Sequence, residues 1–189
     1  MKILNKTSNL NIKNKGFSLI ELIVVIAIMV VFTAIVVISS SVIDSSRVKE
    51  AERGIDDYVS LARSKSMSVS AKSWYMELTT EDGEYVTKLC MVEEVDDGGV
   101  NVENTIDVDR DTYSSKISVS FKDDTTSYDI DNEEPLRIYF SPSTGKVSKI
   151  TVGVDNADIS SGIGHITINS QSYSATLKFF YNTGKIERE

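Results

Sequence analysis

The chain has 189 residues, 41% of them hydrophobic and 25% charged, with a formal net charge of −8; this suffices for one globular domain with an appendage. The first 16 residues carry four lysines and no acid, leaving 16 basic and 28 acidic side chains, a net of −12, in residues 17–189. Such a body repels phosphate backbones and argues against direct nucleic-acid binding, and a single cysteine, Cys90, excludes an internal disulfide and a zinc ribbon.

After the basic leader comes FSLIELIVVIAIMVVFTAIVVI, 22 residues from Phe17 to Ile38. As a helix it would span roughly 33 Å at ~1.5 Å per residue, against a hydrocarbon core of ~30 Å. Lys2, Lys6, Lys13 and Lys15 precede it, whereas Asp44 comes before the first basic residue, Arg47, on the other side. That asymmetry puts the leader in the cytoplasm and the body outside. A cleaved secretory signal has an apolar stretch of only ~7–15 residues, so that reading fits poorly. A plain single-pass anchor explains the length but not Glu21, because an unpaired carboxylate near the membrane costs at least ~2.5 kcal/mol. A cut between Gly16 and Phe17 would supply the missing cation. The new α-amino group would then lie about one helical turn from Glu21 and could pair with the glutamate of a neighbouring subunit.

The stretch Lys15-Gly16-Phe17-Ser18-Leu19-Ile20-Glu21-Leu22, behind a short basic leader and ahead of the apolar run, resembles the class III signal of type IV prepilins and type II secretion pseudopilins. The resemblance implies that a prepilin peptidase cuts after Gly16 and methylates the new N-terminus, Phe17. Glu21 would then direct docking into a filament. It also implies partners: other pilins or pseudopilins through the N-terminal helices, the peptidase, an inner-membrane assembly platform and membrane lipid. Residues 1–16 are then the prepilin leader, 17–38 the transmembrane and assembly helix. Many major pilins have a proline near the end of this segment; here the fifteen residues after Glu21 have none, and no kink is expected.

Residues 39–72 read as an amphipathic continuation of the helix. Apolar residues recur at Val48, Ala51, Ile55, Tyr58, Val59 and Ala62, with charged and polar residues on the other side. Joined to the membrane segment this makes a helix of ~50 residues, on the order of 75 Å. Its stripe is expected to pack on the region that follows, a partner helix being the alternative. Gly54 inside it costs roughly 1 kcal/mol. The helix end is left open, since KSMSVSA alternates with period two.

Residues 73–189 read as a β-rich extracytoplasmic head, with strands in WYMEL, YVTKLCMV, KISVSF, LRIYF, KITV, HITI and ATLKFFY. The fold class is therefore α+β: a long N-terminal helix packed on a mainly antiparallel sheet. FSPSTGKV and FFYNTGKI share the frame F-x-x-x-T-G-K followed by Val or Ile. A phosphate loop needs a glycine where Phe140 and Phe179 stand, so the glycines are assigned to hairpin turns, and KIERE to a last strand or a fraying tail. DDYVSLARSKSMSVSAKSWYMEL resembles the GspH/FimT group of minor pseudopilins, Ala62, Arg63 and Ser64 carrying most of the likeness. That implies a subunit used sparingly, priming or capping a filament.

Residues 81–134 hold 17 acidic and 4 basic side chains. Asp107, Asp109 and Asp111 have the 1-3-5 spacing of an EF-hand loop, but Thr112 stands where glycine is required and Ser118 where glutamate is. A solvated acidic surface is the reading, with a calcium site outside the EF-hand pattern as the alternative. A further alternative is that EEVDDGGVNVEN is simply a mobile loop. Cys90 reads as a buried strand position, a reactive thiol being the alternative. His165, the one histidine, has no second His or Cys for a metal site, and no serine sits in a GxSxG frame, so no enzymatic activity is expected. The functional expectation is a minor pilin or pseudopilin. The alternatives are a tip-binding or competence pseudopilin and an unprocessed single-pass anchored domain.

Overall fold

The computed structural model describes residues 17–68, 73–97, 100–157, 159 and 162–189, with only the backbone of 34–40, 93–97 and 100–104. Helix α1 (Leu19–Ser68) has 50 residues. Among the described residues eleven strands follow: β1 (Ser73–Glu81), β2 (Glu84–Asp97), β3 (Val100–Tyr113), β4 (Ser118–Lys122), β5 (Ser127–Asp129), β6 (Leu136–Phe140), β7 (Val147–Val152), β8 (Asp155–Asn156), β9 (Ile163–Asn169), β10 (Ser174–Phe180) and β11 (Lys185–Arg188). The chain divides into two compact units, one ending at Ser39 and one running from Ser40 to Glu189.

Within the second unit the stripe of α1 is the helical half of the core. Val48, Ala51, Ile55, Val59 and Ala62 are no more than 1% exposed, and burying a Val- or Ile-sized side chain is worth roughly 1.5–3 kcal/mol. Against them pack Met76, Leu78, Leu89 and Ile138 from one sheet and Phe121, Ile166, Leu177 and Phe179 from the other. The expected stripe and α+β class are thus found. The glycine in that stripe has a reason the sequence did not disclose: a Cβ on Gly54 would sit 2.0 Å from the Tyr113 hydroxyl oxygen. β3 needs that gap to lay its buried tyrosine against the helix.

The expected single sheet is two, both antiparallel. One is six-stranded in the order β3-β2-β1-β6-β7-β8, the other five-stranded in the order β11-β10-β9-β4-β5. Two faces of alternating strands then close on one core, which one sheet and one helix would leave half open. The loop reading of EEVDDGGVNVEN is also corrected. β2 and β3 continue through it, pairing Val95 with Val102 and Asp97 with Val100, because the valines of VNV supply strand character that the acids conceal. Positions 98 and 99 lie outside the described residues.

On the face of the six-stranded sheet turned away from α1, ion pairs cross four strands. Arg137 Nε meets Glu77 at 2.6 Å, Glu77 lies 3.6 Å from Lys88, Lys88 pairs with Glu81, and Arg110 bonds Glu81 at 3.0 Å and also Asp107. Lys88 and Arg110 hold the Glu81 carboxyl below its ordinary range. Alternating signs at cross-strand positions turn a charged face into a mutually satisfied one.

The two TGK frames form equivalent turns. Gly145 N–H donates to Ser141 O at 2.9 Å and Gly184 N–H to Phe180 O at 2.8 Å, with φ of 64° and 65°. Lys146 N–H and Lys185 N–H each donate to the preceding threonine hydroxyl at 3.3 Å. Although the turns belong to different sheets, they meet. Val147 N–H donates to Tyr181 O at 2.9 Å, and the rings of Phe140 and Phe179 pack edge to face at 6.3 Å. Arg63 of α1 closes the junction, its Nε donating to Gly145 O at 3.1 Å. KIERE is a strand, β11, and Arg188 within it bonds Asp56 at 2.8 Å.

Candidate functional site

The segment that the sequence marks for function begins at Phe17, 79% exposed and just ahead of α1. Gly16 lies outside the described residues. Ser18 caps the helix: its carbonyl accepts from Glu21 N–H at 3.1 Å and Leu22 N–H at 3.2 Å, and its hydroxyl accepts weakly from Glu21 N–H at 3.4 Å. Ser-x-x-Glu before an apolar run is a capping-box pattern. It was legible in the sequence, and it fixes the helix start two residues beyond the expected cut. Glu21 therefore stands in the first turn, where the helix dipole favours an anion by about 0.3–1 kcal/mol. That is smaller than the at least ~2.5 kcal/mol an unpaired acid would cost in a membrane, so there the cap alone would not offset the charge. Glu21 is exposed and makes no ion pair among the described residues.

Beyond Glu21 the helix is apolar on every side. Leu22, Ile23, Val24, Val25 and Ile26 are all between 47% and 57% exposed, so no face is committed to the chain's own core. Shallow grooves run along it, one lined by Val25, Ile28, Met29, Phe32 and Thr33. Thr33, the polar member, donates its hydroxyl to Met29 O and so hides its polarity in the helix backbone. A membrane span over residues 17–38 was the expectation. Among the described residues no helix is long and apolar enough to cross a membrane, and the side chains of 34–40 lie outside that description.

The head does not assemble the other candidate residues into one site. The register of β3 slips between Leu89 and Cys90, so that Asp109 lies opposite Leu89 while Asp107 lies opposite Cys90, with Val108 extra between them. Since Leu89 and Cys90 point to opposite faces, this bulge sends Asp107 to the ion-paired outer face and Asp109 and Asp111 to the helix side. There, burial first and those two carboxylates next push the Tyr58 phenol up to about 12. The 1-3-5 triplet is thus split between the two faces of the sheet. Among the described residues no three His, Cys, Asp or Glu are placed to hold a metal.

Cys90 is buried, and burial pushes its thiol up to about 11, with the Glu77 carboxylate adding to it. This is the buried strand position expected, not an activated thiolate. His165 lies in the outer row of the five-stranded sheet between Lys122 and Lys178. The sequence reading missed Arg63 as the residue joining the two glycine turns. Its only visible signal was the repetition of the TGK frame.

Residues 11–37 match the family described as the prokaryotic N-terminal methylation motif. No curated protein and no solved structure matches the chain. The matched stretch contains Gly16, Phe17 and Glu21 and ends within the apolar run. The head lies outside it, and the likeness to the GspH/FimT group rests on the sequence alone. The chain thus carries a prokaryotic N-terminal methylation motif, with Gly16, Phe17 and Glu21 inside it.

Proposed function

We propose that the chain is a minor pilin or pseudopilin, a structural subunit of a type IV pilus or type II secretion-like filament. A prepilin peptidase cuts it between Gly16 and Phe17 and methylates Phe17. The precursor sits in the membrane once, leader in the cytoplasm and head outside, and the processed subunit passes into a surface or periplasmic filament. Assembly runs through the N-terminal helix on the inner-membrane platform, with Glu21 setting register against the amine of a neighbouring subunit. The chain is a substrate of one enzyme and itself performs none of the chemistry.

The observation that carries this reading is the motif match over 11–37, a stretch that includes Gly16, Phe17 and Glu21. The apolar surface of α1 supports it. Side chains of this size exposed on every side of a helix need lipid or other helices around them. Glu21, exposed and without an ion pair among the described residues, is placed to meet a cation from outside the chain.

The test is N-terminal mass analysis of protein extracted from membranes of cells with and without the peptidase, in wild type and Glu21→Ala. The expected result is a peptidase-dependent chain starting at methylated Phe17, with Glu21→Ala processed yet missing from sheared filaments. An intact leader in both strains would overturn the reading and leave an anchored, unprocessed domain.

A further inference from the structure

The β6–β7 hairpin joins two ends of opposite charge. At its turn end the paired glycine turns bring Arg63, Lys146 and Lys185 together. Lys146 and Lys185 are exposed, and none of the three forms an ion pair among the described residues. Its other end is reached after only five or six residues, about 17–20 Å of strand. There the 131–134 loop, the β1–β2 turn and the β7–β8 turn lie together. Leu78 pairs with Leu136, Thr79 Oγ1 bonds Asp131 O at 3.2 Å, and Gly153 N–H bonds Pro135 O at 3.0 Å. This end shows exposed carboxylates at Asp82, Glu84, Glu133, Glu134 and Asp155. Among them stands Val154, 98% exposed, an apolar side chain left in water at the tip of a turn.

From this we infer a docking surface: the cationic turn pair of one copy receives the acidic end of a second copy, around Val154. The strands hold the two ends apart, so they cannot meet within a molecule. Two different patches in contact make a heterologous interface, which does not close on itself unless its rotation happens to form a ring. Exposed charge pairs are individually weak and screened by salt, so the contact takes effect where tethering raises local concentration. The inference rests on the filament reading for that tethering, and it means that the subunit can follow itself in an assembly for at least a short run.

The experiment uses the full chain in detergent micelles, with Cys90→Ala as background. One population carries Lys185→Cys and the other Glu134→Cys, and disulfide formation on mixing is compared with mixing two Lys185→Cys populations. The mixed pair should cross-link several-fold faster at about 0.05 M salt and lose that advantage at about 0.5 M. Lys146→Glu should abolish the advantage, and Glu133→Lys on the partner should restore it, with unchanged melting midpoints showing that both variants fold. Equal rates for mixed and like pairs, or indifference to charge reversal, would overturn the proposal. Sheared filaments are assayed separately. Filaments without the cross-link reject the head contact alone, whereas the cross-link without filaments rejects the assembly reading and leaves the contact standing.

Discussion

Gly184 and Cys90 show how narrowly single positions are constrained. A Cβ on Gly184 would stand 2.3 Å from Gly145 O, a backbone atom of the facing turn, and its φ of 65° already lies in the left-handed region. A left-handed L-residue costs roughly 1–2 kcal/mol before any overlap. Gly184→Ala is therefore expected to destabilise the head by more than about 2 kcal/mol in urea titration. Gly83 also has a positive φ, 82°, but open space around it, so Gly83→Ala should show only the conformational cost. For Cys90 the folded thiol, raised to about 11, binds its proton more tightly than the ordinary thiol near 9. The stabilisation this gives is complete below pH 9 and lost as pH rises through 11. The urea midpoint should therefore fall over that window, and Cys90→Ala should flatten the fall; an unchanged slope would mean that the thiol is not buried in solution.

At the scale of elements, α1 holds two halves with different destinations. Ile55 is fully buried in the head core, whereas Ile23 is 55% exposed. Ile55→Ala should cost about 2–5 kcal/mol of head stability, the range for removing a buried branched side chain. Ile23→Ala should leave the head's denaturation midpoint unchanged, and any loss it causes should appear in filament recovery. The stripe from Val48 to Ala62 could be read from the sequence because helical period three to four is a local property. β3 could not: in DVDRDT every second residue is an acid, and a strand whose helix side carries Asp109 and Asp111 lacks the apolar alternation that marks a half-buried strand. It belongs to the sheet through its long pairing with β2, a contact across a hairpin that composition does not announce.

For the whole molecule, the division at Ser39/Ser40 makes a direct prediction. Every buried core residue from Val48 to Tyr181 lies in the second unit. Removing residues 1–39 should therefore leave a soluble head whose melting temperature changes by no more than a few degrees, as scanning calorimetry would read. A large drop would mean that the apolar helix contributes to the head's core. Two sheets on one helix also explain the Arg63 junction. Sheets that share no strand need a connection at their ends, and the repeated turn with an arginine across it provides one.

What this sequence determined by itself is what depends on neighbours a few residues away: the methylation motif with Gly16, Phe17 and Glu21, the amphipathic stripe of α1, the strands with apolar alternation and the two glycine turns. Each is set by backbone sterics, hydrophobic period or local charge, and each is visible in one window of residues. Only the tertiary structure decided that there are two sheets, that a bulge parts Asp107 from Asp109, that Gly54 makes room for Tyr113, and that the two TGK turns meet at Arg63. Among those outcomes, Arg63 and Gly145 meet across 82 positions. Which distant groups meet is settled by how two sheets and a helix fill one volume, and no local window contains that information.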